Sequence, residues 1–292
     1  MLHADEVSRR RVLALVSVIA LLLGSFMIAG VVQRVWPNLG TETEAPTEAE
    51  LARMRREAQE VRQLRASLIS IAKDEGWDAA IESASGFLRR RDNVLVRRMR
   101  AEAYLRAGDS RGARRDYNEL MGDSPLEKAA LLAIGGDVDD FRRHCEDWMG
   151  RLNPAELDGT EANNAAWMCV GLSGGLRDYD PALRLARKAL DGSLPDERPT
   201  YLNTLGALQY RAGRDAEAIR TLSEAEALRS DPFNWVFLAM AYQRSGERDK
   251  ARGLLAKVEK RLDASYGTLD PQEYRHELIL FWNEARADTP PI

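Results

Sequence analysis

Histidine, cysteine and one glycine cluster are the first places where this chain could do chemistry. It has three histidines, His3, His144 and His276, and two cysteines, Cys145 and Cys169. His144 and Cys145 are adjacent, and neighbours on a helix point in different directions, so they do not converge on one ion. A zinc site takes three or four converging ligands, and two cysteines also fall short of a disulfide framework. Both are expected to be small buried hydrophobes. No histidine lies near Ser173 in the sequence, which leaves no material for a histidine-based triad there. The segment "GLSGGL", Gly171 to Leu176, lacks the lysine and hydroxyl of a phosphate loop and follows a helical pattern rather than a strand, so it reads as a long turn. Glu217 and Glu224 are carboxylates at helical surface spacing, the mark of a solvated face. No catalytic residue, metal ligand or cofactor is therefore expected, and binding rather than catalysis is the expected work.

The bulk numbers agree with a folded binding protein. With 292 residues, 45% hydrophobic and 30% charged, the chain can bury a sizeable core. The net charge of −4 is too small to announce a nucleic-acid partner. Residues 51–116 carry 16 basic against 10 acidic groups, including the band "RRRDNVLVRRMR" from Arg89 to Arg100. These arginines alternate with apolar residues at helical spacing and read as solvated helix faces, so no nucleic acid is expected as a partner.

One segment is addressed to a membrane. Val12 to Val32, "VLALVSVIALLLGSFMIAGVV", is 21 residues without a charge. At about 1.5 Å per residue a helix of that length spans about 31 Å, close to the hydrocarbon thickness of a bilayer. The run exceeds the apolar region of a cleaved signal peptide, and no small-x-small site follows it. Arg9, Arg10 and Arg11 precede it, whereas Arg34 alone follows closely, ahead of the acidic "TETEAPTEAE". That asymmetry predicts residues 1–11 in the cytoplasm, a transmembrane helix at 12–32, a tether at 33–49, and residues 50–292 outside a cell inner membrane.

The remainder is punctuated at a regular interval. "AYLRAGDSRGARRDY" (Ala103 to Tyr117), "LQYRAGRDAEAIRTL" (Leu208 to Leu222) and "MAYQRSGERDKARGLL" (Met240 to Leu255) each place an aromatic residue just before a Gly and an Ala five positions after it. Gly213 to Gly246 and Ala218 to Ala251 are both steps of 33 residues. A Gly that ends a helix takes the left-handed conformation of a tight turn, and a small residue lets the second helix lie close to the first. Each unit is a helical hairpin. One hairpin cannot bury its apolar face alone, so hairpins must stack.

The order Leu205-Gly206, Tyr210, Gly213, Ala218, Leu222 and Ala225, then Trp235, Leu238, Tyr242, Gly246, Ala251 and Leu255, resembles tetratricopeptide (TPR) repeats. The hairpin with Tyr104, Gly108, Ala113, Tyr117 and Pro125 is similar. Weaker copies fall near 61–93, 127–158 and 162–195, the last with a lengthened turn at "GLSGG". Residues 126–262 resemble the TPR modules attached to planctomycete-type serine/threonine kinases, yet neither a nucleotide loop nor kinase catalytic motifs occur here. The resemblance implies an all-α solenoid of about six repeats, led in by a helix over Leu51 to Lys73 and closed by a C-terminal capping helix over Pro271 to Arg286. It also implies a concave groove lined by the first helix of each hairpin, with Asn163, Asn203, Tyr210, Met240 and Gln243 as candidate contacts to an extended peptide or a helix. The same positions could instead only stack the hairpins together. The expected function is a membrane-anchored scaffold that recruits partner proteins. The alternatives are an accessory subunit of a larger membrane complex and a non-catalytic platform for an enzyme acting in trans.

Overall fold

The computed structural model describes residues 48–122, 124–266 and 275–287. The expected cytoplasmic N-terminus (1–11), the transmembrane helix (12–32) and most of the tether lie outside these residues. Among the described residues no helix is long and apolar enough to cross a membrane. They form thirteen helices and no strand, as an all-α chain should.

The chain divides into two compact units, residues 1–70 and 71–292. In the first the structure describes one helix, α1 (Glu48–Asp74), which runs on past the division and starts within the expected tether. The second unit begins with α2 (Trp77–Arg90) and continues as pairs: α3 (Val94–Ala107) with α4 (Ser110–Asn118), α5 (Pro125–Gly135) with α6 (Val138–Arg151), and α7 (Gly159–Met168) with α8 (Asp180–Asp191). The pairs α9 (Arg198–Arg211) with α10 (Asp215–Leu228) and α11 (Pro232–Arg244) with α12 (Arg248–Ser265) follow, and α13 (Arg275–Ala287) ends the series. Partners within each pair pack on each other, and the first helices α5, α7, α9 and α11 also touch in succession.

The turns repeat because the same backbone chemistry closes them. Gly76, Gly108, Gly136, Gly174, Gly213 and Gly246 all have positive φ, between 65° and 94°, and each lies between two helices. At Gly213 (φ 74°) the glycine amide donates to Tyr210 O, and the next amide, Arg214, reaches back to Gln209 O at 2.8 Å. Asp109, Asp137 and Glu247 make the same reach at their turns, to Tyr104 O, Leu132 O and Tyr242 O. This pair of bonds satisfies carbonyls that a helix end would otherwise leave bare. Several starts are capped by side chains as well. Ser124 with Glu127 and Asp158 with Glu161 form reciprocal capping boxes, and Asn93 accepts from Leu95 and Val96 amides.

Small residues set the spacing inside each pair. Ala113, Ala218 and Ala251 are fully or almost fully buried. Gly206 is tighter still: a Cβ there would stand 2.5 Å from Leu222 Cγ and 3.3 Å from the Leu222 amide, so α9 and α10 touch nearly backbone to backbone. The "GLSGG" turn is shaped by Phe141, whose ring lies within 2.9 Å of a Cβ built on Gly171 and 2.7 Å of one on Gly175. Its glycines make room for an aromatic ring. Gly206→Ala is expected to destabilise the unit by about 1–3 kcal/mol through overpacking. Leu222→Ala removes the buried side chain that the new methyl would strike, so the two changes together should cost less than the sum of each alone. Thermal melts of both single variants and the pair check this, and additive losses would contradict the close contact.

Candidate functional site

The site is the face made by the first helices, and it is filled by the chain's own last helix. α13 packs on α3, α5, α11 and α12. Side chains extend this to α7 and α9, so all five first helices from α3 to α11 meet α13. A helix that only closed the end of the array would touch α11 and α12 and leave one side in water. From His276 to Ala285 no residue of α13 is exposed.

The centre of the contact is aromatic. Phe281 on α13 meets Phe237 at a centroid distance of 4.8 Å, Trp167 at 6.1 Å and Phe233 at 6.2 Å. Trp167 in turn stands edge-on to Phe233 at 5.4 Å. Such tilted and edge-to-face pairs match the positive ring edge to the negative face, and each adds about 0.5–1.5 kcal/mol beyond burial. Around this cluster the groove supplies hydrogen-bond donors. Trp167 Nε1 donates to Glu277 Oε2 at 3.0 Å, and Gln243 Nε2 donates to Ala285 O at 2.9 Å. In the reverse sense, Asn283 Nδ2 donates to Leu105 O at 2.8 Å.

Two arginines carry the charge. The Arg211 side chain is 0% exposed, and each nitrogen of its guanidinium donates: Nε to Val170 O at 2.8 Å, while Nη1 and Nη2 clasp both oxygens of Glu284, the latter at 2.8 Å. The same group lies over the Phe281 ring at 5.5 Å. Arg106 is buried between Trp77, at 4.9 Å, and Trp282 of α13, at 5.5 Å, with Asp263 as its ion-pair partner at 3.0 Å. Burial lowers the Arg106 pKa and the Asp263 carboxylate acts against that shift. Arg106, Arg211 and Arg244 each stand two residues before a turn glycine, at Gly108, Gly213 and Gly246. Arg244 uses the same place differently, stacking over Tyr210 at 3.8 Å and donating to its carbonyl.

Of the positions expected in the groove, Gln243 contacts α13 directly. Asn203 is bonded across to Asn234 Oδ1 at 2.7 Å and so ties α9 to α11. Tyr210 is 1% exposed, with its ring against Phe237 at 5.9 Å, and Met240 is also 1% exposed. Both are packing residues of the core on which α13 rests. Asn163 is buried on α7 one turn before Trp167, and its Oδ1 has no hydrogen-bond partner among the described residues. Sequence reasoning missed Arg211 and Trp167 as contacts. An arginine two residues before three of the six turn glycines was the available signal for Arg211.

Glu277 has an unusual setting. Its carboxyl borders a cavity of about 10 Å³ lined by Leu126, Ala129, Ala133, Phe141, Met168 and Leu280, close to the smallest space that holds one water. Burial pushes its pKa up to about 7, against the lowering effect of the Trp167 hydrogen bond. The two cysteines are free and buried. The Cys169 thiol is pushed up by its hydrogen bond with Cys145 and by burial. Among the described residues no group of three His, Cys, Asp or Glu could hold a metal ion. Models of known protein families do not match the chain, and no curated protein matches it significantly.

The raised Glu277 pKa has a definite sign. From the ordinary carboxylate value up to about pH 7 the folded chain holds a proton that the unfolded chain has lost, so stability falls as pH rises through that window. The loss is at most about 3 kcal/mol at pH 8. Glu277→Gln is expected to flatten the dependence between pH 5 and 7 and to raise stability at pH 8. Denaturant melts at pH 5 and pH 8 measure this, and parallel pH dependence in the two proteins would contradict the assignment.

Proposed function

We propose that the chain is a TPR-type helical-repeat scaffold, held in the cytoplasmic membrane by residues 12–32, which recruits partner proteins on the outer side of that membrane. The observation that carries the reading is the continuous face of five first helices, which receives a helix along its length through aromatic, ionic and amide contacts. Such a face is built for protein recognition, in which apolar anchors supply affinity and a few placed polar groups fix register. The repeat of Gly turns and buried Ala positions supports a TPR-type solenoid, because each hairpin leaves a face that its neighbour must cover. The charge asymmetry around residues 12–32 supports the anchor and its direction.

Two measurements on the full chain test this. A reporter that is active only outside the cytoplasm, fused after Ile292, is expected to be active; activity from a reporter restricted to the cytoplasm would reverse the topology. Affinity capture from mild detergent is expected to retain a defined partner that a chain reduced to residues 1–49 does not retain. Equal recovery with both chains would sink the recruiting function.

A further inference from the structure

Resting on the recruiting reading, we infer that the first-helix face is a binding site for an amphipathic helix with an acid–aromatic–acid stripe, that α13 fills this site in cis, and that a partner's helix with the same stripe replaces it. The stripe on α13 is Glu277, Phe281 and Glu284, at i, i+4 and i+7, one side of a helix. Opposite it the groove places a donor, an aromatic cluster and a cation in the same order: Trp167 Nε1, the Phe233 and Phe237 rings, and the Arg211 guanidinium. Gln243 adds a donor to a backbone carbonyl at the C-terminal end of the occupant. The chemistry therefore selects a helix with carboxylates seven residues apart and a large aromatic residue between them. A basic helix would set its charge against Arg211, which is wholly buried.

Two features make α13 a replaceable occupant. Its carboxylate Glu277 sits in an apolar corner with one indole N–H as its bonded donor, so the charged form is poorly served there. Asn163, one turn from Trp167 on α7, keeps a buried oxygen with no hydrogen-bond partner among the described residues. A partner helix with a donor at that level of α7 would satisfy this oxygen.

The test uses the full chain in mild detergent and a labelled synthetic peptide of residues 275–287, read by fluorescence anisotropy. The wild-type chain, its groove already filled, is expected to bind the peptide about ten-fold more weakly, or less, than a Phe281→Ala, Glu284→Ala chain whose own helix is weakened. A peptide carrying the same two substitutions is expected to bind neither chain, and Arg211→Met in the weakened chain should abolish binding. The proposal is overturned if the weakened chain, still helical by circular dichroism, fails to bind the wild-type peptide or binds both peptides alike. If that chain does not fold, a second form keeps every groove residue: a protease site is inserted between Thr268 and Leu269 and cut after folding. Exchange of the labelled peptide into the cut protein supports the proposal, and retention of the original helix without exchange overturns it. A concentration-dependent dimer of the cut or weakened chain would make a second copy the occupant and would also overturn it. Failure here leaves recruitment through another face intact, whereas peptide exchange with no partner captured on the full chain would remove the recruiting function and keep the groove.

Discussion

A guanidinium with no exposed surface is the constraint around which this unit is organised. Arg211 sits at the end of α9 with its side chain 0% exposed, and a charge so placed is tolerated only when it is paired and hydrogen-bonded. Val170 O takes Nε and Glu284 takes the fork. The first contact ties α9 to the turn after α7; the second ties it to α13, 73 residues on. One side chain thus links two hairpins and the final helix. Remove Glu284 and the arginine faces apolar rings with two of its nitrogens unserved. The position of α13 is therefore set by electrostatics as well as by the apolar stripe of Leu278, Ile279, Phe281 and Trp282, which are all buried.

The same logic explains why the face is polar at its rim and aromatic at its centre. Apolar contact alone would let a helix slide along a row of similar first helices. Trp167, Gln243 and Arg211 come from three different helices, and each accepts only one register of α13. The aromatic cluster of Trp167, Phe233, Phe237 and Phe281 then fills the centre. Glu277 lies at the edge of that register, where the enclosure that holds α13 also opposes its charge.

The local part of the fold was legible because it depends on short-range backbone chemistry. Gly108, Gly213 and Gly246 followed by Ala113, Ala218 and Ala251 announced hairpins, and each Gly is a left-handed turn with a buried Ala beyond it. "GLSGG" was read as a long turn, and it is one, although the reason, the Phe141 ring beneath it, is contact over 30 residues of sequence and could not be seen. The site was less legible. Gln243, a candidate contact to a partner, donates to the chain's own α13, whereas Tyr210 and Met240 lie within the packing and Asn203 bonds Asn234. Arg211 was passed over because an arginine in the last turn of a helix ordinarily serves the helix dipole and solvent. Its burial arises from the return of α13, and no local periodicity encodes a return of that length. The C-terminal helix itself was expected as an end cap, and its contacts with α3 and α5 extend well beyond that place.

A specific ionic contact, Arg211 with Glu284, holds α13 on the first-helix face. A double-mutant cycle in denaturant unfolding, with Arg211→Met, Glu284→Leu and the pair, measures this contact most directly. Each single change is expected to cost about 3 kcal/mol or more, the pair much less than their sum, with a coupling of about 2 kcal/mol. Additive losses with a coupling near zero would mean that Arg211 and Glu284 do not share a buried contact, and would contradict the placement of α13.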